Sequence, residues 1–209
     1  MAGKRNKHGM TVAEHDAMLK ATGQYDAMVE RKRLQEEERQ KREAESRRAE
    51  EPLVAELRRV GLVIESVWDL VNTTAPYPKA LPILLEHLPR AYPGAVREGI
   101  ARALAVPEAR FGWNVLTQLY GDEQDKRVKD GLAVAIAGAA NDELIGDVMA
   151  LARDSRHGPS RLLLLRALER SDDPRARAAL MDLGTDPDLQ REIQVILRRL
   201  NRSKRQPRG

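Results

Sequence analysis

The chain has no cysteine and few aromatic residues: one phenylalanine, two tryptophans and four tyrosines among 209 residues. The absence of cysteine excludes disulfide bonds, thiolate metal ligands and a cysteine nucleophile. Hydrophobic residues make up 42% of the chain, so the core must be built mainly from leucine, alanine, valine and isoleucine. That composition favours close-packed helices over an all-β sandwich, which is richer in aromatic and β-branched residues.

Other absences concern chemistry and location. No apolar run reaches the length of a transmembrane helix, and the first residues lack the apolar stretch of a signal peptide. His8, His15, His87 and His157 are scattered without the spacing of metal ligands, and no phosphate-binding loop or nucleophile elbow is present. We therefore expect a cytoplasmic protein that is not an enzyme, holds no metal or cofactor and does not contact a membrane.

The net charge of +4 is unevenly distributed along the chain. Residues 1–51 carry 12 basic and 11 acidic side chains, and residues 52–197 carry 18 and 21. The last twelve residues carry six arginines and lysines and no acid. Because the positive charge lies at the C-terminus and the body is slightly acidic, a phosphate-binding surface over the whole domain is not indicated.

The first quarter of the chain predicts two segments. Residues 1–23 are polar and basic, which is typical of a flexible segment, although Thr11 and Glu14 form a capping-box pattern for a short helix. Residues 24–51 are rich in good helix formers, with opposite charges four residues apart, and predict a charged helical arm. The arm is either a solvated single helix or a docking element for protein or nucleic acid.

A repeat of about 32 residues is the most informative pattern in the chain. The segment 96–104 returns as 128–136 and, more loosely, as 160–168. A second series of apolar segments precedes these at a nearly constant offset, so each unit is predicted to hold two helices, A and B. Helix A is predicted at 80–88, 112–120, 143–151 and 175–183, and helix B at 96–104, 128–136, 160–168 and 189–197.

Residues 77–200 are thus predicted to form four helix pairs. Aspartate or asparagine, often followed by proline, precedes several of the helices, as expected for helix starts. Residues 52–76, beginning with a helix at Pro52, are predicted to be a capping helix pair, because the apolar end of a stack cannot be left in water. Residues 201–209 are predicted to be a basic disordered tail, with the last helix ending near Leu200.

The sequence V-R-x-x-I-A-x-A-L that begins at Val96 resembles the second helix of a HEAT repeat, in which a basic residue commonly opens helix B. Arg97, Lys129 and Arg161 occupy that position, and Arg191 stands two places later in the fourth unit. The resemblance to HEAT-like (HEAT/armadillo-type) repeats implies an all-α, right-handed α-solenoid whose B helices line a concave face. It concerns architecture and does not fix an activity.

Helical periodicity divides each helix B into buried and outward positions. The outward positions form a candidate partner-binding row on the concave face: Arg97, Glu98, Arg102, Lys129, Asp130, Arg161 and Arg166. Leu162 takes the place of Glu98 and Asp130 in the third unit and indicates a local apolar spot or deeper burial. Gly99 and Gly131 share one repeat position, where the cost of glycine in a helix predicts close helix contact.

Within this row, one basic residue stands at the same position in each of three units, Arg97, Lys129 and Arg161, and this basic row admits two interpretations. They either pair with nearby acids such as Glu98, Asp130 and Asp154 and join the units, or form a ladder for an acidic protein surface or a phosphate backbone. The tail cations are either a solvated terminus or a nucleic-acid-binding element: Arg202, Lys204, Arg205 and Arg208.

We expect a noncatalytic protein-binding module or scaffold. The alternative is a nucleic-acid-associated protein that uses the tail and the basic row.

Overall fold

The computed structural model describes residues 24–205, together with Thr11 and Met18. The predicted flexible segment, residues 1–23, otherwise lies outside the described residues, as do residues 206–209. Regular structure within residues 24–205 is entirely helical, which confirms the all-α class. The ten α-helices of this range are α1 (Gln24–Arg59), α2 (Trp68–Val71), α3 (Leu81–His87), α4 (Gly94–Ala103), α5 (Trp113–Asp122), α6 (Lys126–Ala139), α7 (Ile145–Arg153), α8 (Arg161–Arg170), α9 (Pro174–Leu183) and α10 (Gln190–Arg205).

The chain divides into two compact units, Met1–Arg48 and Ala49–Gly209. In the described part of the first unit, α1 is a polar helix whose side chains are almost all exposed. Ion pairs within the helix include Arg33 with Glu30 at 2.7 Å and with Glu37 at 2.9 Å. Exposed pairs at this spacing contribute about 0.2–0.5 kcal/mol each, so local helix propensity accounts for this part of α1.

Pro52 lies inside α1. The prediction that a new helix begins there is therefore wrong, and the predicted capping pair 52–76 is the end of α1 followed by the four-residue α2. A proline in a helix interior removes one hydrogen bond and costs about 3 kcal/mol. Leu53, Val54 and Leu57 are fully buried, and at about 1.5–3 kcal/mol each their burial offsets that cost.

Helices α3 to α10 occupy the predicted positions. The odd-numbered helices coincide with the predicted A segments and the even-numbered helices with the B segments, with ends that differ by at most three residues except at the end of α10. Asp173 caps α9 by accepting a hydrogen bond from the backbone of Arg175, and Pro174 follows at the first helical position, as expected. Four short 3-10 helices lie in the described turns: Pro78–Ala80, Pro107–Gly112, Asp142–Leu144 and Ser155–Ser160.

The even-numbered helices contact each other in chain order. Helix α2 packs against α4, α4 against α6, α6 against α8, and α8 against α10. Each odd-numbered helix from α3 onwards packs against the even-numbered helix that follows it, and leucine, isoleucine, valine and alanine fill the core between them. Over residues 24–205, no helix combines the length and the apolar character that a membrane crossing requires.

Two glycines lie where the even-numbered helices approach closely. A Cβ atom on Gly131 of α6 would lie 3.1 Å from the backbone oxygen of Glu98 and 3.2 Å from the Cβ of Ala101, both on α4. A Cβ on Gly99 of α4 would lie 2.7 Å from Cγ1 of Val67, next to α2. These distances confirm the close helix contact predicted at this repeat position.

Helix α10 continues to Arg205, beyond the predicted end near Leu200. The first part of the predicted disordered tail is therefore helical, and that part of the prediction is wrong. Basic side chains stabilise the C-terminal end of a helix through its dipole. In addition, the side chain of Asn201 accepts a 2.6 Å hydrogen bond from Arg177 of α9, which ties the extended helix to its neighbour.

Candidate functional site

Arg97, the first basic residue of the predicted row, is held between two turns. Its Nε donates a hydrogen bond to the carbonyl of Leu88, at the end of α3. Its Nη2 lies 2.6 Å from Oε2 of Glu123, which follows α5. The Arg97 side chain is 19% exposed and that of Glu123 is 9% exposed, so the pair is largely shielded from solvent. Arg97 therefore joins the α3–α4 pair to the α5–α6 pair.

Arg161 makes the same kind of contact and is almost fully buried. Its Nη1 donates to the carbonyl of Ala152 and lies 2.7 Å from Oδ2 of Asp186, and its Nη2 lies 3.4 Å from Oδ2 of Asp188. Hydrogen bonding from Arg161 lowers the pKa of Asp186. The side chain is 1% exposed, so the prediction that Arg161 faces outward is wrong. The guanidinium reaches from the helix surface into the turn before α10.

Lys129, between these two in the repeat, has weaker contacts. Its Nζ donates to the carbonyl of Glu123 at 3.3 Å and lies 5.3 Å from the ring centroid of Tyr120, within cation–π range. The contacts of Arg97, Lys129 and Arg161 agree with the first interpretation, in which the basic residues join neighbouring parts of the repeat. The pairing acids differ from those expected: they are Glu123, Asp186 and Asp188 instead of Glu98, Asp130 and Asp154.

The other predicted row residues form local pairs, with one exception. Glu98 and Arg102 form an ion pair at 2.9 Å within α4, and Lys126 and Asp130 form one at 2.8 Å within α6. Arg166 of α8 is exposed and has no hydrogen bond or ion pair to any residue that the structure describes. Of the seven candidate residues, Arg166 alone is left with a free charged group within the described range.

Arg166 lines an open groove of about 1020 Å³ that runs across α6, α8 and α10. Its floor is apolar and includes the half-buried side chains of Val134, Leu162 and Leu163 and the buried Ile196. Leu162 is thus part of an apolar spot, as predicted. The remaining row residues, at positions 97, 98, 102, 129, 130 and 161, do not line the groove.

Two arginines on the rim of the groove close the C-terminal end of α6. Nη2 of Arg170 donates to the carbonyls of Ala137 at 2.7 Å and Ala140 at 3.2 Å. Nε of Arg110 donates to the carbonyl of Ala139 at 3.4 Å. The last carbonyls of a helix have no partner within the helix, so these contacts satisfy them. The acceptors are neutral, and both arginines keep their positive charge on the rim.

The acidic side chains of the rim are already engaged. Glu169 and Glu192 lie 3.2 and 3.3 Å from the guanidinium of Arg199. Asp142 accepts a 2.5 Å hydrogen bond from the hydroxyl of Ser171. The serine hydroxyl is neutral, so Asp142 keeps its negative charge, and within the described range the groove is lined by four arginines and three acids. The groove therefore combines an apolar floor with a rim of slight net positive charge.

The predicted tail residues are described only in part. Arg202 is exposed on α10. The backbone of Lys204 and Arg205 is helical, but their side chains, like all of Arg208, lie outside the described part of the structure.

A cluster of polar side chains around His157 is packed inside the protein. The His157 ring lies 4.5 Å from that of Tyr120, and its Nε2 lies 3.7 Å from Oδ2 of Asp154. Burial lowers the pKa of His157 and raises the pKa of Tyr120 to about 12. The cluster does not line the groove. Within the described residues, no three histidine, aspartate or glutamate side chains are placed to hold a metal ion.

Arg166 and Leu162 were identified from the sequence, but the other residues of the groove were missed, among them Leu163 and Arg170. Their signal lies in the repeat alignment, because they stand 32 residues after Gly131 and Gly138. At these two repeat positions α6 has glycine, which allows its close approach to α4. Helix α8 has long side chains at the same positions, and those side chains line the groove.

Comparisons of the chain with protein-family models, with curated proteins and with solved structures find no match. What the chain does is therefore inferred from its own residues.

Proposed function

We propose that residues 77–200 form a HEAT-like α-solenoid of four helix pairs, with the end of α1 and α2 as its N-terminal cap. The ordered packing of the even-numbered helices supports this architecture, because in a solenoid each unit contacts its neighbours in the chain. The shared geometry of Arg97 and Arg161 also supports it. Each donates to a carbonyl nine residues earlier and pairs with an acid 26 or 25 residues later.

The solenoid acts as a noncatalytic protein-binding module, and the groove is its docking site. The observation that carries this proposal is the floor of Val134, Leu162 and Leu163, which lies open to solvent between three helices. Contiguous apolar surface rimmed by polar groups is typical of sites where another protein docks. Scattered single apolar side chains, in contrast, need no partner.

The occupant that fits best is an amphipathic helix of another protein with an acidic side chain beside its apolar stripe. Such a helix lays its apolar face into a groove, here against Leu162 and Leu163. Its carboxylate pairs with Arg166, whose guanidinium is free within the described range, and the charges of Arg110 and Arg170 favour the same sign. A small ligand fits less well, because it needs an enclosed pocket with several convergent polar groups.

Leu162→Asp tests the apolar floor. The chain is used as bait in a crosslinked pull-down, the captured protein is purified, and its binding is measured by calorimetry. We expect Leu162→Asp to weaken binding at least about tenfold, because docking would bury a carboxylate against apolar surface. Val115→Asp is the matched control, since Val115 is exposed on α5 and lies outside the groove. Both variants should keep the circular dichroism of the wild type.

Arg166→Glu tests the charge of the groove with the same purified partner. We expect weaker binding, and recovery when the facing acidic residue of the partner is replaced by lysine. A partner that binds the wild type, Leu162→Asp and Arg166→Glu with equal affinity would show that the groove is not its docking site.

A further inference from the structure

One face of helix α10 packs against the rest of the protein, and the opposite face is exposed. Ile193 and Ile196 are buried against the helices before it. Arg191, Arg198 and Arg202 are exposed. Positions seven and eleven residues apart return to the same side of an α-helix, so the three arginines form one stripe, which points away from the buried isoleucines.

The charge of this arginine stripe, Arg191, Arg198 and Arg202, is not neutralised by the protein. None of the three makes an ion pair or a side-chain hydrogen bond to another described residue. Arg199, beside the stripe, behaves differently, because its guanidinium pairs with Glu169 and Glu192. No acid follows Glu192 in the sequence, whereas Lys204, Arg205 and Arg208 add further cations to the same end of the chain.

We propose that the arginine stripe binds the phosphate backbone of nucleic acid without reading its bases. At 1.5 Å per residue, Arg191 and Arg202 are about 16 Å apart along the axis, and each strand of a DNA duplex offers a phosphate about every 3.4 Å over that length. Arginine suits this role because its guanidinium forms paired hydrogen bonds with phosphate oxygens. This surface is separate from the groove and does not depend on the function proposed for it.

The apolar side chains of α10 argue against a membrane surface as the partner. A helix that lies in a membrane interface needs an apolar face to insert, in addition to its basic face. Ile193 and Ile196 are committed to the core, and Val195 is the exposed apolar residue within the stripe. The stripe therefore offers charge with little apolar surface, which is the combination that backbone contacts with nucleic acid require.

The test uses the full chain and two labelled probes of unrelated mixed sequence, a 24-base-pair DNA duplex and a 24-nucleotide RNA. Binding is followed by fluorescence anisotropy between 50 and 200 mM salt. Three phosphate contacts predict a fall of about 40-fold in duplex affinity over this range, and more if further cations contribute. The variant Arg191→Gln, Arg198→Gln, Arg202→Gln should bind more weakly, with a log–log salt slope shallower by about three.

A matched control removes the same charge elsewhere. Lys41, Arg47 and Arg48 are exposed on α1 and have no ion pair within the described residues, so their triple replacement by glutamine lowers the net charge equally. We expect this control to keep the salt slope of the wild type. Leu162→Asp should also keep it, which separates this surface from the groove.

Three results would overturn the proposal. The first is no binding of either probe at 50 mM salt, and the second is equal salt slopes for the stripe variant and the α1 control. The third is a different ligand for the stripe. In that case the wild type binds phosphatidylserine vesicles, or polyglutamate of equal charge, tightly, and the stripe variant loses this binding while its affinity for nucleic acid stays unchanged.

Discussion

The contact between α4 and α6 and the contact between α6 and α8 are equivalent in the 32-residue pattern. The first is tightly packed and is called the closed contact here, whereas the second leaves the groove and is called the open contact. In the closed contact α6 presents Gly131 and Gly138, where an added Cβ would press on the backbone of α4 or of the residues just after it. In the open contact α8 carries Leu163 and Arg170 at those positions, and both line the groove. Gly138 also lines the groove, so the clearest difference is at the position shared by Gly131 and Leu163, where glycine accompanies close helix contact and leucine accompanies the groove.

The largest effect is expected on the open side, at the start of α8. Arg161→Ala should lower the free energy of unfolding by about 3–5 kcal/mol, because it leaves a cavity in place of a fully buried side chain and removes the hydrogen bonds to the carbonyl of Ala152 and to Asp186. Urea unfolding followed by circular dichroism measures this. Arg166→Ala, exposed on the same helix, should change stability by less than about 0.5 kcal/mol. A similar small loss for both variants would contradict the role given to Arg161.

The closed contact should be broken by Gly131→Leu. A leucine there must displace the backbone of α4, and we expect a loss of about 3 kcal/mol, which thermal or urea unfolding detects. The control is Gly146→Leu on α7, where nothing lies within 4 Å of the added Cβ. If Gly131→Leu were as stable as Gly146→Leu, the two helices would not be in close contact.

Leu163, which occupies the position of Gly131 in the open contact, should be less sensitive to substitution. Leu163→Ala removes a half-buried side chain that lines the groove, and we expect a loss of about 1 kcal/mol. Its neighbour Leu164 is fully buried, so Leu164→Ala should cost about 2–5 kcal/mol in the same urea experiment. Equal losses would mean that position 163 is as tightly packed as the core.

The smallest effect is expected from the pH dependence of Asp186, which pairs with Arg161 at the start of α8. Because Arg161 lowers its pKa, the folded protein binds this proton less readily than the unfolded chain. The stabilisation is therefore present above the ordinary aspartate pKa and is lost as the pH falls from there through the lower pKa of the folded protein. Between about pH 5 and pH 3, Asp186→Asn should lose less unfolding free energy than the wild type, by under about 1 kcal/mol. Parallel pH profiles would contradict this.

The sequence predicted most of the helices because their apolar positions and caps are local signals. It also predicted the close approach at Gly99 and Gly131, since both stand at one repeat position in a helix. It did not predict the burial of Arg161, because periodicity gives the direction of a Cβ and not the reach of a long side chain. The continuity of α1 through Pro52 was missed for a related reason: the burial that offsets the proline is tertiary.

The candidate site was harder to predict than the fold. The ion pairs of Arg97 and Arg161 depend on distances between turns far apart in the chain. The pairs Glu98–Arg102 and Lys126–Asp130, in contrast, are local pairs within one helix. Arg166 and Leu162 belong to the groove together with Leu163 and Arg170, which stand 32 residues after Gly131 and Gly138. Comparing equivalent positions across units, rather than reading each helix alone, would have located it.

The forward reach of Arg161 determines where this protein can be divided into fragments. A fragment ending at residue 171 would keep α8 but lose Asp186 and Asp188, so a guanidinium would stay in its interior without a counterion. A fragment ending at residue 140 keeps α6, whose Lys129 is half-exposed and bonds backwards to Glu123. A cut between α6 and α7 therefore leaves no buried guanidinium of the described residues without its counterion, and the partners that it removes include Asp147 and Ser160, which hydrogen-bond to Trp113 and Tyr120.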